Sequence, residues 1–333
     1  MLPTPQCLSR MLGLVIRQVG EVQTLTGHAD LIARLFLEGD LPGGAPETLI
    51  AKVYGPEWYA SGGLLELQFY QDFLRRTPAL PVPQLLGFEN DLAARRCTLL
   101  LEDLGAAYQP VALPPPPALL EHLTRVLAAF HAAWWNAPEL ESLGFRQPDT
   151  GVTRMPQALD PAGLAAHAQA ARQAAASFLD NHELSAGERA LLERLMDRWP
   201  GVFQQRVEGG HLTLIHGDLH LLGNVFQSAD ALELRLIDWA QIKRGLGPHD
   251  LMYMLISADA PDRLERDTAL IQRYHASLVS AGVVGYALEQ CLDDYRLSLL
   301  TNLFQSIFQD SLKWFRKTAA LVELWRCAEL LTE

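Results

Sequence analysis

The residues able to do chemistry in this sequence are concentrated in two places, HGDLHLLGN at 216–224 and LRLIDW at 234–239. An apolar, β-type run leads into each: HLTLI before the first, LELRLI running into the second. Read this way, two carboxylates (Asp218 and Asp238) and an amide (Asn224) stand at the ends of neighbouring strands. Phosphoryl transfer needs that set. One Asp orients an attacking hydroxyl and accepts its proton, while an Asn and a second Asp hold Mg²⁺ against the phosphate oxygens. Either motif alone reads equally well as a polar strand end with a helix cap; the two in this order form a constellation.

Such a constellation has to be held by larger elements. Residues 19–25 and 29–37 read as strands joined by the turn Thr26-Gly27-His28, and TLIAKVY at 48–54 as a third. Gly and Pro crowd the loop 39–46, separating the second run from the third. Residues 64–74, LLELQFYQDFL, carry apolar side chains at helical spacing, and prolines at 78, 81 and 83 stop that helix. CTLLL at 97–101 is a further strand, running into Glu102-Asp103-Leu104. After the proline cluster 110–117 the pattern becomes helical, over 118–136, 161–179, 186–206, 262–282, 286–312 and 318–331. The one β island in that part is 211–240, which holds the motifs. The expected architecture is α+β, with a small antiparallel β lobe over residues 1–103 and a larger, mainly helical lobe over 104–333.

Composition narrows the class. A formal charge of −12, with 49% hydrophobic and 20% charged residues, describes an ordinary folded chain and argues against a nucleic-acid binder, which needs a basic face. The cysteines Cys7, Cys97, Cys291 and Cys327 are far apart and form no CxxC pair, so neither a zinc knuckle nor a disulfide framework is expected. The apolar run 11–16 is too short for a signal-peptide core or a membrane span, and no later run reaches spanning length. The expectation is a soluble, cytoplasmic protein without a membrane or nucleic-acid partner; its oligomeric state is left open.

With HGDLHLLGN, LIDW and the strand lysine in place, the sequence resembles the aminoglycoside phosphotransferase and choline kinase family, relatives of the protein kinases. FHAAWWN at 130–136 is similar to a helix end in a bacterial branch near the ecdysteroid-kinase-like proteins. The resemblance implies a protein-kinase-like bilobal fold, ATP and Mg²⁺ as cofactors, and a small-molecule hydroxyl as phosphate acceptor. By position it implies Asp218 as catalytic base and Asn224 and Asp238 as metal ligands. His216, His220 and Asp250 of GPHDL would support the loop. Lys52 would grip the nucleotide phosphates, with Glu66 as its ion-pair partner, because a loose lysine head would sample many rotamers.

Three further features follow from the resemblance. The turn at Gly27 stands where a loop would cover the phosphates, although it holds one glycine and no GxGxxG. LLLEDL at 99–104 stands where backbone groups around Glu102 to Leu104 would meet adenine, the side chains of Glu102 and Asp103 serving as caps. Five residues separate Asp218 from Asn224 where the family has four, which reads as a one-residue bulge at Leu221-Leu222-Gly223.

The acceptor is left open by the sequence. His131, Trp134 and Trp135 are core residues or pocket walls, and Gln305, Asp310 and Trp314 are candidates to face the cleft between lobes. Aminoglycoside, sugar or other alcohol phosphorylation stands beside a choline- or ethanolamine-type kinase. A nucleotide-binding pseudokinase acting through a partner is the reading from a different class. Protein kinase activity is disfavoured by the lack of HRD, DFG and APE.

Overall fold

The computed structural model describes residues 2–27, 29–43, 45–143, 161–208, 210–228, 230 and 233–331. The chain forms two compact units that no single cut separates: Met1–Val111 with Gly223–Gln241, and Ala112–Leu222 with Ile242–Glu333.

The first unit begins with a helix that the sequence reading did not anticipate. The Thr4 hydroxyl accepts the Cys7 N–H, Pro5 occupies the first turn, and Gly13 at φ 67° ends α1 (Pro5–Leu12). The apolar run 11–16 is thus divided between α1 and β1 (Val15–Leu25). β2 (Leu31–Asp40) and β3 (Thr48–Tyr54) follow, then a helical segment whose centre is α2 (Leu64–Gln68), flanked by π-helical turns at Tyr59–Gly63 and Phe69–Phe73. β4 (Leu85–Asp91) and β5 (Arg96–Glu102) complete an antiparallel sheet of order β1-β2-β3-β5-β4.

Strand alternation gives that sheet two different faces. Ala33, Leu35, Leu37, Leu49, Ala51 and Leu100 build a core with Leu8 of α1 and Ile16. Lys52 and Tyr54, one step out of phase with Leu49 and Ala51, point to the opposite face. The helical segment packs there, and its small residues permit a close approach. A Cβ on Gly63 would lie 2.8 Å from Tyr54 Cβ and 2.9 Å from Cys97 Cβ.

The β island resolves into β7 (Leu212–Ile215), β8 (Val225–Ser228) and β9 (Leu234–Leu236), which do not share one sheet. β8 and β9 pair in the first unit, with β6 (Tyr108–Pro110) on the other edge of β8. β7 pairs in the second unit with β10 (Lys243–Leu246), a strand that the charged KRG sequence had hidden.

The second unit is otherwise helical: α3 (Pro117–Ala133), α4 (Pro161–Asn181), α5 (Ala186–Glu208), α6 (Pro248–Leu255), α7 (Arg263–Ser280), α8 (Leu288–Phe308) and α9 (Leu312–Leu324). α8 packs against α4, α5, α6, α7 and α9, and its buried residues therefore run around the helix rather than along one stripe. Among the described residues no helix is long and apolar enough to cross a membrane, and the four cysteines are unpaired.

Candidate active site

In the first unit, Lys52 on β3 is almost fully buried, and its ammonium is held by two carboxylates. Nζ lies 2.8 Å from Glu66 Oε2 and 2.5 Å from Asp238 Oδ1. Burial by itself would favour loss of the proton, but the fields of Asp238 and Glu66 more than offset it. The Lys52 pKa therefore stands above the ordinary lysine value. Glu66 is completely buried and fully engaged: the Tyr54 hydroxyl donates to Oε2 at 2.5 Å, and the Trp239 backbone N–H donates to Oε1 at 3.2 Å. The Trp239 ring stacks on Phe69, centroids 3.9 Å apart and planes 2° from parallel. Helix, strand lysine and the segment after β9 are thereby fixed to one another.

Asp238 and Asn224 are positioned by the pairing of β8 with β9. Asn224 immediately precedes β8, Asp238 is the second residue after β9, and the Ile237 N–H donates to the Asn224 carbonyl at 3.0 Å. Asp238 has φ 66°, a left-handed conformation uncommon outside glycine, although Asp and Asn tolerate it better than other residues. Asn224 is 5% exposed. The expectation that Asp218 sits on a strand beside Asp238 is not met. β7 leads into Asp218 and belongs to the other sheet, because the chain passes from one unit to the other at Leu222-Gly223.

In the second unit, Asp250 organises the loop that carries Asp218. Asp250 is fully buried in the first turn of α6; Oδ2 accepts the His216 N–H at 2.7 Å and Oδ1 the Gly217 N–H at 2.9 Å. Gly217 has φ 84°, which explains the glycine after His216. His131 Nε2 lies 3.3 Å from Asp250 Oδ2, and its Nδ1 2.7 Å from the Tyr274 hydroxyl. Burial pushes the Asp250 carboxyl up, but the His131 hydrogen bond and the neighbouring histidines overcome it and bring it to about 2. Gly247 leaves room for this arrangement, since a Cβ there would lie 2.1 Å from Tyr274 Oη.

Asp218 itself is mostly buried. Its N–H donates to His216 Nδ1 at 3.3 Å, and its Oδ2 lies 4.0 Å from His220 Nε2. Leu221 and Leu222 form a turn before Asn224, one buried and the other 56% exposed, at the place of the extra residue.

The remaining sequence-derived residues fall as follows. Gly27 lies at an exposed turn after β1; its neighbour His28 is outside the described residues. The Glu102 carboxylate accepts the Gln84 N–H at 3.0 Å, and Leu104 is half-buried beyond β5. Asp103, which the sequence offered only as a cap, receives a two-pronged contact from Arg34, Nε to Oδ2 at 2.7 Å and Nη2 to Oδ1 at 3.0 Å. Burial opposes ionisation of Asp103, but the Arg34 contact lowers its pKa overall. His131 and Trp134 are core residues, while Trp135 packs its ring against Tyr286. Asp310 is half exposed and contacts Asn181 and His182, and Trp314 is half-buried on α9. Gln305, by contrast, donates from α8 to the Tyr253 hydroxyl at 3.0 Å. Sequence reading passed over Tyr253, although its spacing of three from Asp250 puts both on one side of α6.

An antiparallel sheet unit with a strand lysine tied to a helix glutamate, joined to a helical unit, is the α+β fold of the protein-kinase-like small-molecule kinases. The chain is similar to choline kinase from Cryptosporidium parvum (12% identity, 93% of this chain and 89% of that one, TM-score 0.57). It is similar also to amicoumacin kinase in complex with AMP-PNP and Ca²⁺ (12% identity, 95% and 89% covered, TM-score 0.53). A third match is an aminoglycoside phosphotransferase from Streptomyces rimosus in complex with ADP and streptomycin (18% identity, 87% and 94% covered, TM-score 0.50). No curated protein matches in sequence. Residues 32–287 match the sequence profile of the phosphotransferase enzyme family (APH), and the chain belongs to that family. It is an ATP-dependent small-molecule kinase.

Proposed function

We propose that the protein transfers the γ-phosphoryl group of ATP to a hydroxyl of a small molecule, with Mg²⁺, and that Asp218 is the catalytic base. The acceptor oxygen attacks the γ-phosphorus, the bond to the β–γ bridging oxygen breaks, ADP leaves, and the hydroxyl proton passes to the Asp218 carboxylate. Lys52 meets the phosphates. Two of its three N–H donors engage Glu66 and Asp238, and the third remains for a phosphate oxygen. Gly27 covers the phosphates, and the backbone from Glu102 to Leu104 receives adenine. His216, His220 and Asp250 hold the loop in shape.

Asn224 and Asp238 fit a magnesium site. Both offer hard oxygen atoms, and the β8–β9 pairing brings their backbones together. The pair suits Mg²⁺, which takes one or two protein oxygens and completes its shell with phosphates and water. When bound, the ion supplies neutralisation of charge on the transferring phosphoryl group.

The observation that carries this reading is the buried Lys52 held by both Glu66 and Asp238. The acceptor is an aminoglycoside-like compound, a sugar or another alcohol. The test is a phosphoryl-transfer screen with Mg²⁺ and ATP over aminoglycosides, sugars and simple alcohols, choline included, with product masses measured. An acceptor gaining one phosphoryl group supports the proposal. ATP binding without transfer to any acceptor would instead support a nucleotide-binding protein that acts through a partner.

A further inference from the structure

We infer that Tyr253, held by Gln305, is the positioning residue that aims the Asp218 carboxylate; this rests on the reading of Asp218 as base. Tyr253 lies on α6, three residues after Asp250, and its hydroxyl hydrogen-bonds to Asp218. Gln305 Nε2 donates to the same hydroxyl at 3.0 Å from α8, where Gln305 is 3% exposed. These two contacts fix the direction of the proton. The phenol oxygen accepts from the Gln305 amide, so its single O–H is directed at the carboxylate.

One short helix therefore sets both halves of the loop. Asp250 holds the backbone at His216 and Gly217, and Tyr253 holds the side chain of the next residue, Asp218. A carboxylate with one oxygen fixed by a part-buried donor presents its remaining lone pairs in one orientation, which is what an incoming hydroxyl requires. Burial and the negative field of Asp218 keep the phenol far above its ordinary pKa, so it remains a donor throughout the working pH range. Gln305 explains why the tyrosine does not turn away: α8 packs against α6, and the amide closes the chain of contacts Gln305–Tyr253–Asp218.

The test is a double-variant cycle read by ADP release from Mg·ATP with water as acceptor. Tyr253→Phe, which keeps the ring and removes the donor, lowers kcat roughly tenfold or more while KM for ATP stays within about twofold. Added to Asp218→Asn, the same substitution costs less than about twofold, because there is no longer a base to aim. Gln305→Met, close in volume, gives a smaller loss in kcat with the same unchanged KM, and serves if Tyr253→Phe melts early. Wild-type kcat in both Tyr253→Phe and Gln305→Met, or an equal loss from Tyr253→Phe with and without Asp218, overturns the inference. Asp218→Asn with wild-type kcat would instead remove the base assignment beneath it.

Discussion

Lys52 and Asp238 stand 186 positions apart in the chain and meet at 2.5 Å, the ammonium on β3 against the carboxylate beyond β9. The contact depends on three separate pairings: Lys52 with Glu66, Glu66 with the Trp239 backbone, and Trp239 with Phe69. Each is made by a different kind of interaction, so the position of Asp238 is over-determined. The left-handed backbone at Asp238 is held in place by that arrangement.

Removing the cation from this group is expected to be costly. Lys52→Met leaves the buried Glu66 and the part-buried Asp238 side by side with no positive charge, which costs about 3–5 kcal/mol and also abolishes nucleotide gripping. Adding Glu66→Gln to Lys52→Met recovers part of the stability and none of the activity. Thermal melts of the single and double variants, with ATP titration of each, check both statements.

Asp250 predicts an acid limb in stability. Its folded pKa of about 2 lies below the ordinary 3.8, so the folded state favours the charged carboxylate. That contribution is complete above the unfolded value and is lost as pH falls from 3.8 through about 2. It amounts to about 2 kcal/mol. Asp250→Asn places an amide donor against the N–H groups of His216 and Gly217, so the variant is less stable near neutrality by about 1–3 kcal/mol. Its urea midpoint changes less than that of the wild type over the same acid window, and a pH series of urea melts shows this.

Gly63→Ala tests how closely the helical segment must approach the sheet. The new Cβ meets Tyr54 and Cys97 at under 3 Å, and both neighbours are buried. The segment has to shift, at about 1–3 kcal/mol, and Glu66 moves with it away from Lys52. The expected result is a lower melting temperature together with weaker ATP binding. Gly187→Ala, at an open position in α5, is the control.

Much of this was legible in the sequence because it is local. The β-type runs, the helical periodicity after the proline cluster and the order of Lys52, Glu66, HGD and IDW give the α+β fold without any contact information. The α1 signals were local too, in Thr4, Pro5 and Gly13, but the stretch is brief and its apolar residues run on into the start of β1. The division of the β island was not legible: β7 and β9 look alike as short apolar runs, and only their partners, β10 and β8, separate them. Arg34 with Asp103 and Gln305 with Tyr253 are long-range side-chain pairs, and no spacing rule links residues on unrelated elements.

The central claim is that Asp218 accepts the proton of the attacking hydroxyl. Asp218→Asn keeps the shape of the side chain and removes its basicity, so one measurement is decisive: kcat for ATP-dependent phosphorylation of the acceptor found by the screen, with ATP affinity measured on the same sample. The account predicts a loss in kcat of roughly 10²–10⁴-fold with ATP affinity nearly unchanged. A variant that turns over at the wild-type rate would contradict it.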